Sequence, residues 1–141
     1  MSRVLGIDYG TKKIGIAVSD EGKKMAFPKT VHPNNWDYFS SFLRDLIFKD
    51  DIDEIVVGLP TMLDGNDSEL TPEAKEFGEK IKNLTNLPVY FENESFTSSA
   101  VDKQGAAPHG KSDASAAALI LQSFLDRRNK PAKEQPFSIK L

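Results

Sequence analysis

The 141-residue sequence has no cysteine, a single tryptophan and two histidines. Without cysteine there is no disulfide, no thiolate metal site and no cysteine nucleophile, and the absence fits a reducing compartment. His32 and His109 stand far apart, without the close spacing of zinc ligands, so a zinc site is not expected. No apolar run approaches the roughly 20 residues of a membrane-spanning helix. The opening MSRVLGIDYG reaches Asp8 and a turn before the apolar stretch of about 7–15 residues that a signal peptide needs. The expectation is a cytoplasmic protein without a membrane partner. Positive charge is not in excess: 18 Lys+Arg stand against 21 Asp+Glu, a net charge of −3. That balance argues against charge-driven coating of nucleic acid, but it allows a local basic rim beside a site that holds cations.

What is present is enough for one core. The sequence is 39% hydrophobic, and a chain of about 150 residues buries roughly 70% of the surface that it exposes when unfolded. One domain is expected over residues 1–128. The polar tail 129–141, with two prolines, is expected to be loose, although it carries Phe137 and Ile139.

Short β-prone runs at 4–7, 14–18 and 25–31 are joined by the turn-forming stretches Gly10-Thr11-Lys12-Lys13 and Asp20-Glu21-Gly22-Lys23, which predicts an antiparallel meander. After the breakers His32-Pro33-Asn34-Asn35, apolar residues recur at Trp36, Phe39, Phe42, Leu43, Leu46 and Ile47. This is helical spacing, ending before Asp50. The aromatic stripe of that helix reads as core, not as a platform for stacking bases. Residues 54–59 form a continuous β-branched run stopped by Pro60, as in a strand buried on both faces. Thr71-Pro72-Glu73 opens a helix with Ala74, Phe77, Ile81 and Leu84 on one face, and a strand follows at 89–91. After loop-like residues 105–110, Ser112 caps a last helix in which Arg127 and Arg128 favour the dipole of the final turn. The order implies an α/β fold, a mixed five-stranded sheet flanked by helices.

Three carboxylates stand where such an order can bring them together. Asp8 ends the first strand, Glu94 lies just beyond the strand at 89–91, and Asp113 sits in the first turn of the last helix. Taken singly, they read as a turn former, a solvated acid and a partner for a helix N-terminus. Together they can meet on one rim, where open α/β sheets place ligands. Close carboxylates repel one another unless cations neutralise them. Mg²⁺ or Mn²⁺ suits such an oxygen-rich site, and two ions about 3.5–4 Å apart can activate water and stabilise the leaving oxygen of a phosphodiester. The run GIDYGTK lacks the spacing of a nucleotide P-loop and is followed by a strand. Ser95, Thr97, Ser98 and Ser99 have no evident His partner for nucleophilic catalysis, so phosphate hydrogen bonding or helix capping is the better reading.

Four ordered segments, spanning about residues 3–126, carry a resemblance. They are RVLGIDYGTKKIGIAVSD, IDEIVVGLPTMLDGNDSELT, NESFTSS and SDASAAALILQSFLD. The chain resembles the YqgF-type nucleases, a family also described as Holliday junction resolvases and pre-16S rRNA nucleases. The resemblance implies a ribonuclease H-like fold, catalytic acids at Asp8, Glu94 and Asp113, and phosphodiester hydrolysis with Mg²⁺ or Mn²⁺. The implied partner is nucleic acid, either structured RNA, with the ribosome precursor as its context, or branched DNA. The residues expected near substrate are Gly10, Thr11, Lys12 and Lys13 after Asp8, the Gly58-Leu59-Pro60-Thr61 loop, Thr97 and Lys111.

Two features depart from the family pattern. Ser95 stands where an arginine is usual, and the segment between Glu94 and Asp113 is short, its basic residues reduced to Lys103, His109 and Lys111. They motivate a second reading, a non-catalytic nucleic-acid-binding or ribosome-assembly module on the same scaffold. The turn Asp8-Tyr9-Gly10-Thr11 also resembles the first phosphate loop of actin-like ATPases, but those bind nucleotide between two such domains and this length supplies one.

Overall fold

The computed structural model describes residues 2–59, 71–93 and 113–129, with Asp113 described by its backbone only. The elements are β1 (Arg3–Asp8), β2 (Lys13–Ser19), β3 (Ala26–Pro33), α1 (Trp36–Asp50), β4 (Ile52–Leu59), α2 (Thr71–Thr85), β5 (Val89–Asn93) and α3 (Asp113–Asn129). They form one sheet in the order β3-β2-β1-β4-β5. β1, β2 and β3 pair antiparallel, while β1 with β4 and β4 with β5 pair parallel. The expected mixed five-stranded sheet is therefore observed.

Alternation along the strands divides their side chains between two cores. Leu5, Ile7, Ile14, Ile16, Ile55 and Val57 pack with Phe39, Leu43 and Leu46 of α1 and Phe77 and Ile81 of α2. Val4, Ala17 and Val56 pack on the other face, with Ala117, Ile120, Leu121, Phe124 and Leu125 of α3. The central strand β1 is thus buried on both sides from Val4 to Ile7. Two glycines let α3 lie directly on the strands. A Cβ at Gly6 would stand 2.7 Å from the Cβ of Leu121, and one at Gly58 would collide with the side chain of Ile120.

Several boundaries differ from the expected ones. β3 continues through His32 and Pro33, which read as breakers in the sequence. An outer strand tolerates proline because its missing N–H breaks no ladder on the open side, and the His32 ring stacks on Phe42 with centroids 4.8 Å apart. α1 runs through Asp50 and stops where Asp51 takes the left-handed conformation (φ 57°, ψ 54°), its N–H bonded to the Ile47 carbonyl. Asn35 caps the other end, its side chain accepting from the Tyr38 N–H at 3.3 Å. Phe39 is fully buried and Trp36 and Phe42 pack against the same core, so the aromatic stripe is core as expected. The cap at Ser112, the loop 105–110 and residues 130–141 lie outside the described residues. Among the described residues no helix is long and apolar enough to cross a membrane.

Candidate active site

Because β1, β4 and β5 are parallel, their carboxyl ends share one rim, with Asp8 opposite Gly58 and Leu59 opposite Asn93. Val4 and Gly6 face α3, and the same alternation places half-buried Asp8 on that side. The direction of α3 follows from its contacts. Its last turn reaches the opposite rim, where Arg128 bonds to Glu54 at the start of β4 and Asn129 donates to the Lys23 carbonyl at 2.9 Å. Ala117 and Leu121 lie over Gly6 and Ile120 over Gly58. α3 therefore begins, at Asp113, beside the rim where β1, β4 and β5 end.

Glu94 directly follows the last residue of β5 and lies outside the described residues, as do Ser95, Pro60, Thr61, Thr97, Lys103, His109 and Lys111. Of the expected substrate contacts, Gly10, Thr11, Lys12, Lys13, Gly58 and Leu59 are described. Thr11, Lys12 and Lys13 are exposed in the turn after Asp8. Asn34 braces that turn, its side chain donating to the Gly10 carbonyl at 2.7 Å and its backbone N–H to the Lys12 carbonyl at 2.9 Å. Two cations are thereby presented beside Asp8 on a short, doubly tied loop.

Among the described residues no group of three or more His, Cys, Asp or Glu is placed to hold a metal ion, and Asp8 is the only one of the three expected acids whose side chain is described. The chemistry of the rim nevertheless fits a hard divalent ion. The expected donors are all carboxylate oxygens, and the described histidine, His32 near the end of β3, turns its ring onto Phe42. Tyr9 turns to the α2 side, where its hydroxyl donates to Glu73 at 3.2 Å. Burial and the carboxylate of Glu73 push its phenol above the usual range, against an opposing Asn34 contact. With Trp36 and Lys80, Tyr9 borders a cleft of about 200 Å³.

The C-terminal half of α3 is tied to the sheet by carboxylates: Arg127 and Arg128 stand in its last turn, as expected, and also pair with acids on the strands. Glu92 is 1% exposed and accepts from Ser123 Oγ at 2.8 Å, from Arg127 Nη1 at 2.8 Å and from Arg127 Nη2 at 2.5 Å. Glu54 receives both terminal nitrogens of Arg128 and, at 2.9 Å, Lys23 Nζ. The Arg128 hydrogen bonds, helped by Lys23 and opposed by burial, hold the Glu54 carboxyl down at about 2. Arg128 in turn is raised by Glu54, and it lies 4.9 Å from the Phe124 ring centroid. Sequence reasoning missed Glu92. The available signal was alternation in VYFEN, which puts an acid on the same face as Tyr90, the face towards Phe124 of α3.

Among solved structures, Thermus thermophilus RuvC in complex with a Holliday junction substrate is similar at a TM-score of 0.58 and 15% identity, covering 89% of this chain and 95% of that one. Fowlpox virus resolvase with substrate Holliday junction DNA gives a TM-score of 0.51 at 16% identity, covering 91% and 99%. These likenesses define the fold as that of the ribonuclease H-like resolvases. The sequence is 39% identical to a "Putative pre-16S rRNA nuclease" of Nitratidesulfovibrio vulgaris (strain DSM 19637 / Miyazaki F), over 88% of this chain and 93% of the relative. A relative of the same name from Koribacter versatilis (strain Ellin345) is 38% identical over 96% and 94%. The family model "RuvX: Holliday junction resolvase" matches residues 2–127. The chain belongs to the RuvX Holliday junction resolvase family, as the four sequence segments imply.

Proposed function

We propose that this chain is a divalent-metal-dependent nuclease acting in the cytoplasm on structured RNA, in the 5′-end maturation of pre-16S ribosomal RNA. The observation that carries the reading is that β1, β4 and β5 end, and α3 begins, on one rim. The names of the curated relatives support the RNA substrate, and the family description keeps branched DNA as the competing one. The nuclease domain is taken to span 1–128 and is extended by Asn129, which ends α3 and donates to the Lys23 carbonyl, so the tail expected from 129 does not begin there.

In this proposal Asp8, Glu94 and Asp113 hold Mg²⁺ or Mn²⁺. Bound there, the ions supply the charge that activates a water and stabilises the leaving oxygen. Asp8 serves at the end of the central strand, whose residues Val4 to Ile7 are buried on both faces and so fix its position. Lys12 and Lys13 neutralise substrate phosphates, and Gly10 and Thr11 shape the turn that presents them. Gly58, Leu59, Pro60 and Thr61 border the substrate path, with Gly58 packed under Ile120 so that α3 lies close to the end of β4. Thr97 and Lys111 complete the phosphate contacts and offset the loss of an arginine at Ser95.

The test is cleavage of a pre-16S precursor by Asp8→Asn. With Mg²⁺ or Mn²⁺ present, wild type should release the mature 5′ end and the variant should release none, while its circular dichroism and melting temperature match wild type. Full cleavage by the variant would remove Asp8 from the mechanism. Metal-independent RNA binding by wild type, with no product, would favour the non-catalytic assembly module instead.

A further inference from the structure

We infer that Glu92 is a positioning residue for the metal site, locking the end of β5 to α3. The inference rests on the nuclease reading above. Glu92 is buried to 1% exposure, and three hydrogen bonds from α3, one from Ser123 and two from Arg127, meet its two carboxylate oxygens. It stands one residue before the end of β5 and two before Glu94, and the helix that grips it is the one that starts with Asp113. The clamp therefore joins the two elements that lead to two of the three proposed ligands.

The α3 face explains why such a clamp is needed. Near its start α3 presents only the small Ala114 and Ala117 to the sheet, its larger core residues Ile120, Leu121, Phe124 and Leu125 lying further along. Smooth contacts bring helix and sheet close together, but they resist sliding and rotation weakly. A slip of one residue would move the start of α3 by about 1.5 Å along its axis, enough to spoil a metal geometry. Directional bonds set that register. An apolar residue at 92 would satisfy burial as well, since replacing a buried ion pair by apolar groups is often neutral for stability, whereas holding register is the best-attested use of such pairs.

Calorimetric titration of Mn²⁺ into the full chain tests this, with wild type, Glu92→Gln and Glu54→Gln compared. Among the described residues Glu54 makes the other ion pair to α3, but at the far rim, to the start of β4. Glu92→Gln should weaken Mn²⁺ binding about tenfold, the lower end of what loss of a ligand's supporting partner costs. Its cleavage activity should recover as Mn²⁺ is raised, a rescue that a generally loosened fold would not give. Glu54→Gln should lower the melting temperature and leave Mn²⁺ affinity within about twofold of wild type. Wild-type affinity in Glu92→Gln, or an equal loss in Glu54→Gln, would overturn the inference while leaving the nuclease reading intact. Absence of Mn²⁺ binding by wild type would overturn both. If Glu92→Gln does not fold, Ser123→Ala takes its place, removing one of the three bonds, with a smaller loss of affinity expected and wild-type affinity counting against the inference.

Discussion

On one face of the sheet, Phe39, Leu43, Phe77 and Ile81 interlock with Leu5, Ile7 and Ile55, and the Phe39 and Phe77 rings lie 5.4 Å apart. On the other, α3 rests on Gly6 and Gly58 and is tied down by Glu92, by Glu54 and by Gln122, whose side chain accepts from the Ala26 N–H and donates to the Lys24 carbonyl. The first face gains stability from the shape of large side chains. The second brings a helix close and fixes its place with directional bonds. Because α3 begins beside the rim where Asp8 ends β1, precision matters most on the second face.

The largest expected effect falls on the first face. Phe39→Ala should cost about 3–5 kcal/mol, read as a lower urea midpoint, while the protein still folded binds Mn²⁺ as wild type does. Equal damage to metal binding would erase the distinction between the faces. A Cβ at Gly6 would press on both the Leu121 side chain and the Ala117 carbonyl, so Gly6→Ala must lift α3. It should cost about 1–3 kcal/mol, the usual price of overpacking, and yet weaken Mn²⁺ binding more than Phe39→Ala does. The reverse ranking would place the precise face on the wrong side.

The smallest effect is the pH dependence of the Glu54 tie. Its carboxyl is held at about 2 instead of 4.5, so the folded state favours the ionised form. The stabilisation is complete above the unfolded value of 4.5 and is lost as pH falls towards 2. After allowance for solvent screening it is on the order of 1 kcal/mol. Glu54→Gln should remove that amount near neutrality and flatten the fall in urea midpoint across this window. An unchanged slope would show that the tie contributes nothing.

Much of this architecture is legible from local pattern. The meander, the three described helices and the two-faced burial of β4 follow from turn signals, three-and-four spacing and a continuous β-branched run, and the carboxylate at the end of β1 stands out because an apolar run stops there. The missed features depend on distant partners. Arg127 and Arg128 read as dipole cations because the sequence around them offers no acid on the sheet; Glu92 and Glu54 lie 35 and 74 residues away. Pro33 reads as a breaker until its strand is known to lie at the edge. Asp51 ends α1 in a left-handed turn without the usual glycine signal, a conformation that aspartate tolerates better than most residues. Of the site itself, the fold accounts for the positions of Asp8 and of the start of α3. The roles of Glu94, Thr97 and Lys111 rest on the family resemblance.

Crystals soaked in Mn²⁺ and measured at an anomalous wavelength would test the central claim most directly. The account predicts a manganese peak at the rim, within bonding distance of the carboxylates of Asp8, Glu94 and Asp113. Those carboxylates turned to separate surfaces, with no manganese between them, would contradict it.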